Sequence, residues 1–137
     1  MILLVNGPNL NLLGEREPEI YGRTTLAEIE EMVRKAAEGW KVKTEPFQSN
    51  QEGALIDSIQ SKRKEAKGII VNPGALTHSS LALHDCLKSV PCPAIEVHLS
   101  NLHTREEWRQ KSVTAAACRG QITGLGARGY LLAAEWL

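Results

Sequence analysis

Five short apolar runs constrain the fold of this chain more than any other feature of its 137 residues: Ile2 to Val5, Val42 to Phe47, Gly68 to Val71, Ala94 to Val97 and Gly120 to Thr123. Each is short and carries β-branched residues, which predicts a buried strand. The segments between them carry helical spacing instead. Leu26, Ile29, Val33 and Ala37 follow Thr25, and Thr25 with Glu28 forms the pattern of a capping box, which marks a helix start. Ser49 with Glu52 and Thr104 with Glu107 repeat that signal. Strands alternating with helices need right-handed crossovers, so the strands are expected to lie parallel in one sheet with helices on both faces.

That pattern fits an α/β, three-layer, flavodoxin-like fold with a five-stranded parallel sheet. The length suits one domain with one core, and no Pro/Gly/Ser linker or repeat divides it, so residues 1–137 are expected to form a single catalytic domain. Sixteen basic residues balance sixteen acidic ones, which leaves no global positive field and argues against nucleic acid as a partner. The run Met1 to Val5 is too short for a signal segment or a membrane span, and a soluble cytoplasmic protein is expected. Cys86, Cys92 and Cys118 are odd in number and form no C-x-x-C pair, so they read as reduced thiols rather than zinc ligands. Lys62 to Lys67 reads as the solvated end of a helix.

Ligands of open parallel sheets bind beyond the carboxyl ends of the strands, near the point where strand order reverses. Three post-strand segments are unusual. Asn6 to Gly22 is far longer than a normal strand-to-helix connection and suggests a lid. It carries Asn9, Asn11, Arg16 and Tyr21, any one of which alone would suit a turn, a surface charge or a packing anchor. Asn72-Pro-Gly-Ala-Leu-Thr-His-Ser-Ser80 brings His78 behind a turn, followed by hydroxyls suited to capping a helix. In Glu96-Val-His98 the two-residue spacing puts a carboxylate and an imidazole on one face of a strand. A carboxylate there can fix the imidazole tautomer and favour its protonated form, equipping it as a general acid. A buried structural ion pair would share the pattern.

Missing motifs narrow the chemistry. No G-x-x-x-x-G-K-[ST], G-x-S-x-G or H-E-x-x-H occurs, and Gly124-Leu-Gly-Ala-Arg-Gly129, after the last strand, reads as a tight approach to a last helix. Proton chemistry by Tyr, His, Arg and Asn remains.

At this point the chain resembles type II 3-dehydroquinate dehydratase over essentially its whole length. Four blocks carry the likeness: Gly7 to Gly22, Gln48-Ser-Asn-Gln-Glu-Gly53, Asn72 to Ser80, and Glu96 to Arg109. The resemblance implies anti elimination of water from 3-dehydroquinate through an enolate, in a homo-dodecamer built as a tetramer of trimers. It implies neither a metal nor an organic cofactor.

By resemblance Tyr21 is the base that removes the C2 proton, and Arg16 the cation that makes its phenolate accessible. An unperturbed tyrosine has a pKa of ~10, so ionising it at pH 7 costs about 4 kcal/mol, which nearby positive charge offsets; two arginines would do so better than one. His98 then protonates the departing C1 hydroxyl, Glu96 orients its ring, and Asn9 steadies the enolate through a water. Substrate holding falls to Asn72, His78, the backbone of Leu99, Ser100 and Arg109. Asp85 resembles the residue that enters the site from a neighbouring subunit. Two positions depart from the family pattern: Val113 stands where an aromatic residue is common, and Arg23 follows Tyr-Gly where a small residue is usual. Two rivals stay open at this stage: a non-catalytic flavodoxin-like module holding a flavin or another small anion, and a different lyase or isomerase acting on a hydroxylated cyclic acid.

Overall fold

The computed structural model describes residues 1–137. Five parallel strands, β1 (Ile2–Asn6), β2 (Thr44–Gln48), β3 (Gly68–Asn72), β4 (Ala94–His98) and β5 (Gly120–Thr123), stand in the order β2-β1-β3-β4-β5. The order reverses between β1 and β3. This is the arrangement of a flavodoxin-like sheet, whose ligand crevice opens at that junction. The strands β1, β3 and β4 are buried along their whole length, as strands covered on both faces must be. β2 is an edge strand with exposed positions, and it tolerates Pro46 for that reason.

Helices α1 (Pro18–Tyr21), α2 (Leu26–Gly39), α3 (Glu52–Lys62), α4 (Leu81–Ser89), α5 (Glu107–Gln110) and α6 (Arg128–Trp136) connect the strands and close the chain. Alternate side chains along each strand face opposite layers. Ile2, Leu4, Ile70, Ile95 and Val97 pack with Ile29 and Val33 of α2 and Tyr130 and Ala133 of α6. Leu3, Val5, Ile69, Val71 and Ala94 pack with Leu55 and Ile59 of α3 and Leu83 and Leu87 of α4. No helix is long and apolar enough to cross a membrane. All three cysteines are free.

The helix-start signals fare unequally. Thr25 caps α2 as expected, its hydroxyl accepting from the Glu28 N–H at 3.2 Å. Ser49 does not cap α3: the helix starts at Glu52 behind Gln51, Ser49 Oγ closes a turn with the Gln51 N–H, and Glu52 instead accepts from Ser80 Oγ. Thr104 likewise ends a 3-10 turn, donating to the Asn101 carbonyl, and the expected helix shrinks to the single turn of α5. Strand β2 begins two residues later than the apolar run, because Lys41 adopts a left-handed conformation and the Val42 N–H still bonds Ala37 at the end of α2.

Candidate active site

A cleft of about 160 Å³ opens over the carboxyl ends of β1, β3 and β4, at the strand-order reversal. Asn9, Arg16, Tyr21, Asn72, His78, His98, Leu99, Ser100 and Arg109 all line it, as does Arg105. Glu96 lies directly beneath, and Asp85, exposed on α4, is not part of it.

The long segment after β1 is an ordered wall. Leu10 and Leu13 anchor it in the core, a 3-10 turn spans Leu10–Leu12, and α1 delivers Tyr21 half-buried at the cleft. Gly7 is obligatory here, since a Cβ would lie 2.3 Å from the Pro73 carbonyl oxygen. Asn9 turns the chain with a φ of 69°, a left-handed conformation that asparagine tolerates. Its N–H donates to Asn50 Oδ1 at 3.0 Å, and Gln48 Nε2 donates to the Gly7 carbonyl at 3.2 Å. The Gln48-to-Gly53 block thus buttresses the loop that presents Asn9.

Tyr21 sits against two cations. The guanidinium carbons of Arg16 and Arg105 each lie 5.3 Å from its ring centroid, and Arg105 Nη1 donates to the phenol oxygen at 3.1 Å. The same Nη1 donates to Ser100 Oγ at 3.2 Å, tying the phenol to the loop after β4. Arg105 is the site residue that sequence reasoning did not single out. The signal was present, since Tyr21 called for a second cation and Arg105 falls inside the Glu96-to-Arg109 block, but spacing alone did not say which arginine faces the phenol.

His98 Nε2 donates to Glu96 Oε2 at 3.0 Å, leaving Nδ1 as the ring nitrogen for chemistry in the cleft. Glu96 is fully buried and collects three more donors: Ser112 Oγ at 2.8 Å, Gln121 Nε2 at 2.7 Å, and Thr114 Oγ1. Burial by itself would push the carboxyl up, yet the hydrogen bonds from His98, Thr114 and Ser112 outweigh it and hold the group below the usual carboxylate range. Glu96 is therefore a fixed anion under the imidazole.

The remaining groups are held from outside the cleft. His78 Nδ1 meets the Lys111 carbonyl at 2.8 Å and its ring packs edge-on to Trp108. The Arg109 guanidinium stacks on Trp108, its carbon 4.0 Å from the ring centroid, and Nε lies 3.0 Å from Glu106. Val113 has its N–H on the Thr77 carbonyl and its own carbonyl on His84 Nδ1, so its backbone ties the β4–β5 connection to the neighbouring elements. Arg23 is exposed. Gly124 and Gly126, both at positive φ, bond the carbonyls of His98 and Leu99 and carry the chain into α6, which is a structural use of that glycine cluster.

Comparison with known proteins agrees with this geometry. The family described as dehydroquinase class II matches residues 1–137. A 3-dehydroquinate dehydratase of Roseiflexus castenholzii is 56% identical over 136 residues, covering 99% of this chain and 87% of that protein. A catabolic 3-dehydroquinase of Penicillium rubens is 53% identical over 134 residues, covering 98% and 86%. The crystal structure of type II dehydroquinase from Butyrivibrio crossotus superposes with a TM-score of 0.96 at 46% identity, covering 98% of this chain and 94% of that one. With its reversed-order parallel sheet and a match along its full length, this chain belongs to the class II dehydroquinase family.

Proposed function

We propose that this cleft performs the family's dehydration of 3-dehydroquinate to 3-dehydroshikimate, a step of the shikimate pathway, with Tyr21 as base and His98 as acid. The observation that carries the assignment is a tyrosine flanked by two guanidiniums in one cleft with an imidazole seated on a buried carboxylate. The phenol oxygen of Tyr21, with the Arg16 and Arg105 guanidiniums beside its ring, takes the C2 proton and leaves an enolate. Asn9 steadies that enolate through a water. The imidazolium of His98 then gives a proton to the C1 hydroxyl, which leaves as water, and Glu96 stabilises the positive ring and fixes its orientation. Anti elimination needs base and acid on opposite faces of the substrate ring, which suits a base from the segment after β1 and an acid from the end of β4.

Asn72, His78, the Leu99 and Ser100 backbone, the Ser100 hydroxyl and Arg109 hold the substrate's carboxylate and hydroxyls. No lysine lines the cleft, which favours the enolate route over an imine. Residues 1–137 act as one catalytic domain, without a metal or organic cofactor. The working form is a homo-dodecamer, a tetramer of trimers, in which Asp85 of one subunit reaches the neighbour's cleft. Its exposure, away from its own cleft, leaves it free to do so. Free thiols suit the cytoplasm.

A spectrophotometric assay on 3-dehydroquinate tests the reading: absorbance of the conjugated enone should grow with enzyme. No growth would remove the dehydratase assignment, and a bound flavin in the purified protein would favour the binding module instead. Borohydride added with substrate should leave activity intact, and inactivation with substrate trapped on a lysine would contradict the enolate route.

A further inference from the structure

We infer that Tyr130, a fully buried residue of α6 outside the cleft, is a positioning residue that sets Asn72 as a hydrogen-bond donor to the substrate. The inference rests on the function proposed above. Asn6 and Asn72 end β1 and β3 and are register partners across the strand-order reversal. Both are buried, and the Tyr130 hydroxyl lies between them.

The direction of every bond in this group follows from one fixed donor. The backbone N–H of Gly74, 3.2 Å from the Asn72 side chain, can only donate, so the atom it meets is the amide oxygen Oδ1. Asn72 Nδ2 must then face Tyr130, 3.0 Å away, and the hydroxyl accepts there. Its single proton is left for Asn6 Oδ1 at 2.7 Å. The chain therefore runs from Gly74 through Asn72 and Tyr130 to Asn6, with no freedom to reverse.

Two consequences point toward the cleft. Asn72 lines it, and with one Nδ2 hydrogen on Tyr130 the second remains to meet an oxygen of a hydroxylated acid. At the far end Asn6 Nδ2 is buried with no partner, so the group does not satisfy all of its own members. Apolar residues at positions 6 and 130 would leave no such orphan. What the polar arrangement provides is an Asn72 amide that cannot flip or swing. Tyr130 touches no substrate, and its effect passes through Asn72 alone.

Tyr130→Phe removes only the hydroxyl, and the loss of its hydrogen bond from Asn72 should raise KM for 3-dehydroquinate about three- to tenfold with kcat changed less. In an Asn72→Ala background the same substitution should leave KM unchanged, because the group it positions is gone. A general structural role would give equal changes in both backgrounds. Asn6→Ala, which takes away the acceptor of the Tyr130 proton, supplies a second test should the phenylalanine variant fail to fold. Its KM should also rise in the wild-type background and not with Asn72→Ala. Unchanged KM in a folded, active variant, or equal shifts with and without Asn72, would overturn the inference while leaving the dehydratase reading intact. A wild-type protein inactive on 3-dehydroquinate would instead overturn the reading beneath it.

Discussion

At the scale of single residues, the site depends on charge held in place by hydrogen bonds. Tyr21→Phe deletes the proposed base and should cut turnover by ~10²–10⁴, and C2 exchange into deuterated solvent should fall with it. His98→Ala should lose turnover yet retain part of that exchange, since in the proposed mechanism proton removal precedes loss of the hydroxyl. NMR at C2 checks both, and exchange at the wild-type rate in Tyr21→Phe would remove Tyr21 as the base. Arg105→Gln removes a charge-assisted bond worth ~1.5–3 kcal/mol, so activity at pH 7 should fall about ten- to hundredfold. Thr114→Val keeps shape but takes one donor from Glu96. Donors favour the ionised carboxyl, so its loss moves the Glu96 titration upward, and the acid limb of the kcat profile should shift to higher pH. An unmoved limb would show that Ser112, Gln121 and His98 suffice.

At the scale of elements, the cleft is built where two loop backbones touch. A Cβ on Gly7 would strike the Pro73 carbonyl, and one on Gly74, at a φ of +61°, would lie 2.8 Å from the Pro8 carbonyl oxygen. These are backbone contacts that no side-chain rotation relieves. Gly7→Ala should therefore displace the Asn9 turn from the Asn72 turn and lower both thermal stability and activity. By comparison, Thr25→Ala removes only the cap of α2, on the outer layer, and should cost about 1 kcal/mol with turnover unchanged. Thermal melts beside steady-state kinetics separate the two outcomes.

At the scale of the whole molecule, stability should fall away on both sides of neutral pH. The Glu96 carboxyl titrates below its unfolded value, so its contribution is present above pH ~4.3 and is lost as pH falls through the lower folded value. The opposite sign holds for Cys118, pushed up to about 12 by burial and then by the nearby Glu96 charge, and for Tyr130, raised chiefly by its burial. Their contributions are present below the unfolded values, ~8.5 for a thiol and ~10 for a phenol, and decline as pH rises beyond them. Urea melts from pH 3 to pH 11 should trace this dome, and a flat profile would refute it. Assembly gives a second test at this scale: Asp85→Ala should weaken substrate use, and mixing it with Tyr21→Phe chains should restore some activity. Unchanged kinetics and assembly in Asp85→Ala would sink the shared site.

The five strands, the cap at Thr25 and the pairing of Glu96 with His98 were legible in the sequence because each depends on neighbours within a few residues: a short β-branched run, a first helical turn, a two-residue spacing on one face. Ser49 and Thr104 matched the same capping pattern and failed, since Glu52 bonds to Ser80, twenty-eight positions away, and Thr104 closes a turn on Asn101. The site residues after the strands were readable in kind, and the family likeness supplied roles that spacing could not. Only the folded chain decided that Arg105, 84 residues distant, joins Arg16 at Tyr21. It also decided that Ser112, Thr114 and Gln121 converge on Glu96, and that Tyr130 lies between Asn6 and Asn72. The reason is physical: a local pattern fixes which way a side chain points along its own element. Which distant groups it meets depends on how the layers pack.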